Sequence, residues 1–223
     1  MGPSNPLARL GVRVDVLQRG LAPPTRTVAK RARSCEGMRW GKNMASNIEE
    51  PAYDLVRSFP DFELRTYRPN VQARVQTGRE GAPSGGFRRV ARYIFGGNET
   101  GESIAMTAPV SMWAEGETGW LAFTMPSAYA LDSLPAPHDA GVLLVEQAEK
   151  QVAVFSFSGR TTAGKTARIE QKLRKAITKE GFSPVGPAVL AVYENPWTTL
   201  PFMRRNELHL EIQGAMHQRD EKE

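Results

Sequence analysis

The run Gly159-Arg160-Thr161-Thr162-Ala163-Gly164-Lys165-Thr166 fits G-x-x-x-x-G-K-[ST] at every defined position. In a phosphate-binding loop of that pattern, backbone amides cradle phosphates at a helix N-terminus. The lysine reaches the terminal phosphates and the threonine holds Mg²⁺. The setting agrees, because the run falls between an expected strand and an expected helix. The remaining machinery does not follow. Only 57 residues come after Thr166, too few for the parallel strands and helices that normally carry a metal-binding aspartate and a base. The one acidic strand ending downstream is Glu194. Gly96–Ser103 nearly repeats the pattern with Glu102 in the lysine position, and a chain with 20 glycines generates such runs cheaply. The competing expectation is a turn that starts the second helix, with Thr161 or Thr162 as N-cap.

Other reactive groups are sparse. The single cysteine, Cys35, excludes an internal disulfide framework and a cysteine-based zinc cluster. The three histidines are scattered: His138 in a proline-rich connector, His209 on the polar side of an expected strand, His217 near the C-terminus. No catalytic constellation emerges, and the chain is expected not to be an enzyme.

Several elements must position these groups. Phe62, Leu64 and Thr66 alternate with Glu63, Arg65 and Tyr67, and Val71, Ala73 and Val75 alternate with Gln72, Arg74 and Gln76. Both read as strands with one wet face. Gly81–Gly86 reads as a turn, with Ser84 a candidate helix cap. Phe87, Val90, Ala91 and Ile94 at i, i+3, i+4 and i+7 predict an amphipathic helix, stopped by Gly96-Gly97 in a left-handed cap. Strands are expected near Ile104–Trp113 and Trp120–Met125. After the connector Leu131–Asp139 the order repeats: strands at Val142–Glu146 and Gln151–Phe157, a helix with the stripe Ile169, Leu173, Ala176 and Ile177, then strands at Val189–Tyr193 and Leu208–Ile212. The sequence is an α+β domain of two similar halves.

The charge of +5 is unevenly placed. Residues 1–44 hold nine Lys/Arg and two acids; removing these from the totals of 29 and 24 leaves 20 basic and 22 acidic residues. The remainder is nearly neutral, which argues against a general nucleic-acid footprint. No apolar run has the ~18–20 residues of a membrane span. Three readings fit residues 1–44: a transit-like segment, which would place the protein in a plastid or mitochondrion, a disordered basic tail, or a late true start at Met38 or Met44. Without a transit segment the expected compartment is the cytoplasm. The expected division is 1–48 as a basic extension, 49–213 as the domain and 214–223 as a solvated tail.

Within 49–213 a series of landmarks occurs in order: Glu50-Pro51-Ala52-Tyr53, Phe62–Tyr67, Tyr93–Asn98, Ile104–Val110, Phe123–Ser127, Phe157-Ser158-Gly159, Asn195-Pro196 and Pro201–Glu207. Together they resemble the SOUL family of haem-binding proteins. That resemblance implies a distorted antiparallel β-barrel of two pseudo-symmetric halves with two flanking helices. It also implies non-covalent binding of haem or a related tetrapyrrole on a shallow apolar surface near the first helix. Related domains serve as effector-type modules for small hydrophobic ligands, which is the alternative function. A porphyrin needs a flat apolar wall and cations for its propionates. The first helix offers Phe87, Val90, Tyr93 and Ile94 for the wall, Arg88, Arg89 and Arg92 for the cations, and Met106 just beyond it as a weak contact. The plain alternative is a core stripe with a solvated arginine face. Cys35 precedes Glu36, so neither a Cys-Pro haem-sensing pair nor a C-x-x-C-H attachment site is present. The expected role is a carrier or buffer, monomeric, without membrane insertion and without a fixed strong iron ligand.

Overall fold

The computed structural model describes residues 48–78, 83–194 and 199–213; the side chains of Pro83 and Ser84 are not among them. The expectations for the basic extension before Ile48, Cys35, the Ser84 cap, the Asn195-Pro196 landmark, His217 and the tail after Gln213 lie outside the described residues.

The chain forms β1 (Tyr53–Ser58), β2 (Glu63–Tyr67), β3 (Asn70–Gly78), α1 (Pro83–Ile94), β4 (Val110–Glu115) and β5 (Thr118–Thr124). It continues with β6 (Val142–Gln147), β7 (Lys150–Ser158), α2 (Ala163–Lys179), β8 (Ser183–Val192) and β9 (Arg205–Gln213). All strands join one sheet in the order β1-β2-β7-β9-β8-β4-β5-β3-β6, every pair antiparallel.

The repeat is visible in that order. β3-α1-β4-β5 lie as β3-β5-β4, and β7-α2-β8-β9 lie as β7-β9-β8, with the halves meeting at β4 and β8 through Val110 opposite Val192. The leading strands are exchanged: β2 pairs with β7 and β6 pairs with β3.

Connection lengths dictate the shape. β2 and β3 stand six strand positions apart, yet only Arg68-Pro69 separates them. Three Cα steps reach at most about 11 Å, whereas six spacings of a flat sheet cover about 29 Å. Ala148-Glu149 imposes the same demand on β6 and β7. The sheet must therefore curl. Its ladder nevertheless runs open from β1 to β6 among the described residues. β1 is exposed along its length and slips register at Leu55/Arg57, so it ends the sheet beside β2 without hydrogen-bonding to β6. The antiparallel sheet, two halves and two helices are present, and the hydrogen-bonded ring of a barrel is not closed.

Alternation along the strands separates two faces. Val71, Val75, Leu121 and Phe123 pack with Val90, Tyr93 and Ile94 of α1 in one core cluster. Leu64, Leu208, Leu210 and Ile212 pack with Leu173 and Ile177 of α2 in another. The residues between them, such as Gln72, Arg74, Tyr67, His209 and Glu211, line the opposite, concave face. Sequence boundaries moved where side chains do not alternate. Residues 104–109 lead into β4 without being part of it, and β8 starts at Ser183.

Candidate functional site

α1 carries the residues expected to hold a ligand, and the fold divides them. Val90, Tyr93 and Ile94 face inward and are fully buried. The Tyr93 hydroxyl donates to Pro135 O at 3.0 Å, and burial pushes its pKa up to about 12. These three support the surface from beneath. Phe87 is 39% exposed and packs at 5.4 Å on Phe123; Met106 is 44% exposed. Sequence reasoning missed Phe95, which is 62% exposed. It stands one residue past the i+7 position of the stripe, and its only signal was lying next to the glycine stop.

The arginines divide as well. Arg89 donates through Nε and a terminal nitrogen to Asp139 at 2.7 and 2.8 Å. This hydrogen bonding raises the Arg89 pKa and, with the Gly141 N–H, holds the Asp139 carboxyl well below the usual range. Arg88 and Arg92 are exposed on the outer side of the helix.

The turn after α1 is architecture. Gly96 adopts φ +94°, and a Cβ on Gly97 would meet Arg92 O at 2.6 Å. Asn98 is fully buried; its Nδ2 donates to Tyr93 O at 3.1 Å and Glu102 O at 2.8 Å, while Oδ1 accepts from Thr100 and the Glu102 N–H. The connector wraps this turn: Glu99 N–H donates to Ala136 O and His138 N–H donates to Gly97 O. The fold thus brings the His138 backbone, 41 residues away in sequence, to the end of α1.

The other sequence candidate, Lys165, turns back on its own loop. Its Nζ donates to Ser158 O at 2.6 Å and lies 5.0 Å from the Phe157 ring. The Thr166 hydroxyl donates to Thr162 O and Ala163 O. Thr162 occupies the N-cap position without a side-chain cap bond. Both side chains thus serve the local turn.

The concave face holds what sequence reasoning placed in water. Arg65 and Glu207 have side chains only 6% and 3% exposed, 3.1 Å apart. Glu207 also accepts from the Tyr193 hydroxyl at 2.6 Å and the Ser156 hydroxyl at 3.2 Å, and His209 Nε2 lies 2.9 Å from it. Burial pushes the Glu207 carboxyl up, but His209, Tyr193 and Arg65 outweigh it and hold the group at about 2. Burial likewise opposes the Arg65 charge and is outweighed by Glu207 and Glu63, which raise its pKa. Burial, reinforced by the Glu207 charge, pushes the Tyr193 phenol upward. Above this network lies a cavity of about 400 Å³ between the two halves. His209, expected on a wet face, is part of its wall. Among the described residues no three His, Cys, Asp or Glu side chains gather to hold a metal, and no helix is long and apolar enough to cross a membrane.

An α+β domain of two curled half-sheets, each backed by one helix, also occurs in the crystal structure of the EcmrR C-terminal domain. That likeness has a TM-score of 0.51 at 6% identity, covering 73% of this chain and 99% of the other. A conserved uncharacterized protein from Listeria innocua superposes with a TM-score of 0.55 at 13% identity, over 69% of this chain and 92% of its own. Both show the fold alone. The sequence comparison is more specific: the model of the SOUL heme-binding protein family matches residues 48–211, and the chain belongs to that family. It is 30% identical over 130 residues to heme-binding protein 2 of Homo sapiens, a match that takes in 54% of this chain and 63% of the human protein. Family membership supports haem binding in general.

Proposed function

We propose that the protein binds haem or a related tetrapyrrole non-covalently on the exposed surface beside α1, and acts as a carrier or buffer without bond-making chemistry. The observation that carries this reading is the family match across residues 48–211. The surface residues fit the group: Phe87, Phe95 and Met106 offer exposed apolar area, and Arg88 and Arg92 offer guanidiniums for propionates. Arg89 is bound to Asp139 and positions the connector. The bound porphyrin ring would supply the Soret signal; the chain's own residues supply area and charge. The curled sheet is proposed to work as a rigid barrel-like scaffold, monomeric, with the ligand held on its outside.

The test is titration of the purified protein with hemin, and with metal-free protoporphyrin in parallel. A saturable Soret shift at micromolar protein is expected, with similar affinity for the metal-free ring, because no strong iron ligand is invoked. Absence of saturation for both rings would sink the reading.

A further inference from the structure

The cavity on the concave face has features that the α1 surface does not use. Its volume of about 400 Å³ lies in the lower part of the ~300–1,000 Å³ range of small-molecule pockets. That range suits one or two fused rings. Aromatic groups stand on both of its sides: Trp113 on β4, and Tyr67, Tyr193 and His209 from the other half. The second group is held in place. Tyr67 receives a hydrogen bond from Arg65 at 3.2 Å, Tyr193 donates to Glu207, and His209 stacks at 5.6 Å on Tyr67 with its Nε2 against Glu207.

The polar groups of the cavity differ in what they still lack. Glu207 lies beneath the cavity rather than in its lining and accepts from Arg65, Tyr193 and Ser156, so it does not call for a cation. Lys150 lies 3.7 Å from Glu211. Arg74 is different. Its donors go to the neutral Gln72 Oε1 at 3.1 and 3.0 Å, and its guanidinium lies 5.1 Å from the Trp113 ring centroid. It makes no ion pair among the described residues; Glu115, which also lines the cavity and accepts from Trp113 Nε1 at 2.9 Å, acts on it at longer range, and burial lowers its pKa. A half-buried guanidinium without a contacting carboxylate has the geometry to take one from a ligand.

We propose that the concave cavity is a second ligand site, separate from the α1 surface, for a small flat aromatic carboxylate. The ring lies against Trp113 and the carboxylate takes the Arg74 guanidinium. The site draws one wall from each half, so the exchange of leading strands that curls the sheet also assembles it.

The test uses 2-naphthoate, with 2-naphthylmethanol as its neutral counterpart, titrated by calorimetry into the full chain. The expected result is saturable binding of the carboxylate, at least about tenfold tighter than the alcohol. Arg74→Gln should abolish that preference and leave the hemin titration unchanged. Glu115→Gln, at an exposed position, provides an independent check if Arg74→Gln does not fold: removing the nearby negative charge should tighten 2-naphthoate about two- to threefold. Equal affinity for acid and alcohol, no saturation by either, or an Arg74→Gln protein with unaltered preference would each overturn the proposal.

Discussion

The two faces of the sheet are built from the same strands and differ in nearly everything else. On β9, Leu208, Leu210 and Ile212 enter the core under α2, while Glu207 and His209, between them, turn to the concave side. One face is held by apolar area with no directional demands. The other is held by a closed set of donors around one carboxylate. The first face tolerates volume-conserving changes. The second is far less tolerant, since loss of Glu207 strips a buried acceptor from Arg65, Tyr193 and Ser156 at once.

The largest expected effect tests that contrast directly. Glu207→Ala removes the buried carboxylate from Arg65, Tyr193 and Ser156. Among the described residues it leaves Arg65 only the part-exposed Glu63 as an ion-pair partner. The change should cost about 3–5 kcal/mol, read as a fall in the urea midpoint. Leu210→Met, its neighbour on the other face, should cost under about 1.5 kcal/mol. Replacing both charges, Arg65→Met with Glu207→Leu, should recover most of the loss. If the single Glu207→Ala change is as mild as Leu210→Met, the network is not what holds the concave face.

Next comes pH. The Glu207 carboxyl titrates at about 2 in the folded chain against an ordinary value of 4.5. Its folded pKa is depressed, so its contribution is fully present above about 4.5 and disappears as pH falls towards about 2. Urea midpoints measured from pH 6 downward should drop through that window, and Glu207→Gln should flatten the drop. An unaltered slope in the variant would assign acid sensitivity to other carboxylates.

The same contrast explains what was legible in the sequence. The period-two patterns of β2, β3 and β9 placed Leu64, Val71 and Leu210 in the core correctly, because burial on one face is written directly into alternation. The same alternation assigns the polar partners Arg65, Arg74 and His209 to water. Alternation says that a face is polar; it does not say that the face curls on itself, and curling comes from the two-residue links Arg68-Pro69 and Ala148-Glu149 acting across six strand positions. Nonlocal pairing of this kind has no local signature. The helix reading met a similar limit. The stripe Val90 and Ile94 marked the buried side of α1, so residues chosen for apolar character were the ones least able to touch a ligand, and Phe95 outside the stripe was the exposed one. β1 escaped notice because none of its residues is buried.

The outer surface sharpens the comparison through smaller effects. Arg88→Ala combined with Arg92→Ala should weaken hemin binding about tenfold, with the melting temperature nearly unchanged because both side chains are exposed. A double variant that binds hemin as well as the parent would remove propionate recognition from this helix.

The smallest effect belongs to Arg89. Its bidentate contact with Asp139 looks strong in geometry, at 2.7 and 2.8 Å, yet both side chains remain more than one-third exposed. Solvent screening then limits the pair to at most about 1 kcal/mol, unlike the Arg65–Glu207 pair of similar chemistry on the concave face. Arg89→Ala should therefore shift the urea midpoint only slightly and leave the hemin affinity within twofold of the parent, about 0.4 kcal/mol. What it should change is local: hydrogen exchange at the His138 and Gly141 amides, whose connector Arg89 anchors through Asp139, is expected to speed up. Unchanged exchange there would mean that the Gly97 and Tyr93 hydrogen bonds hold the connector by themselves. A large loss of hemin affinity would instead return Arg89 to the ligand-binding set.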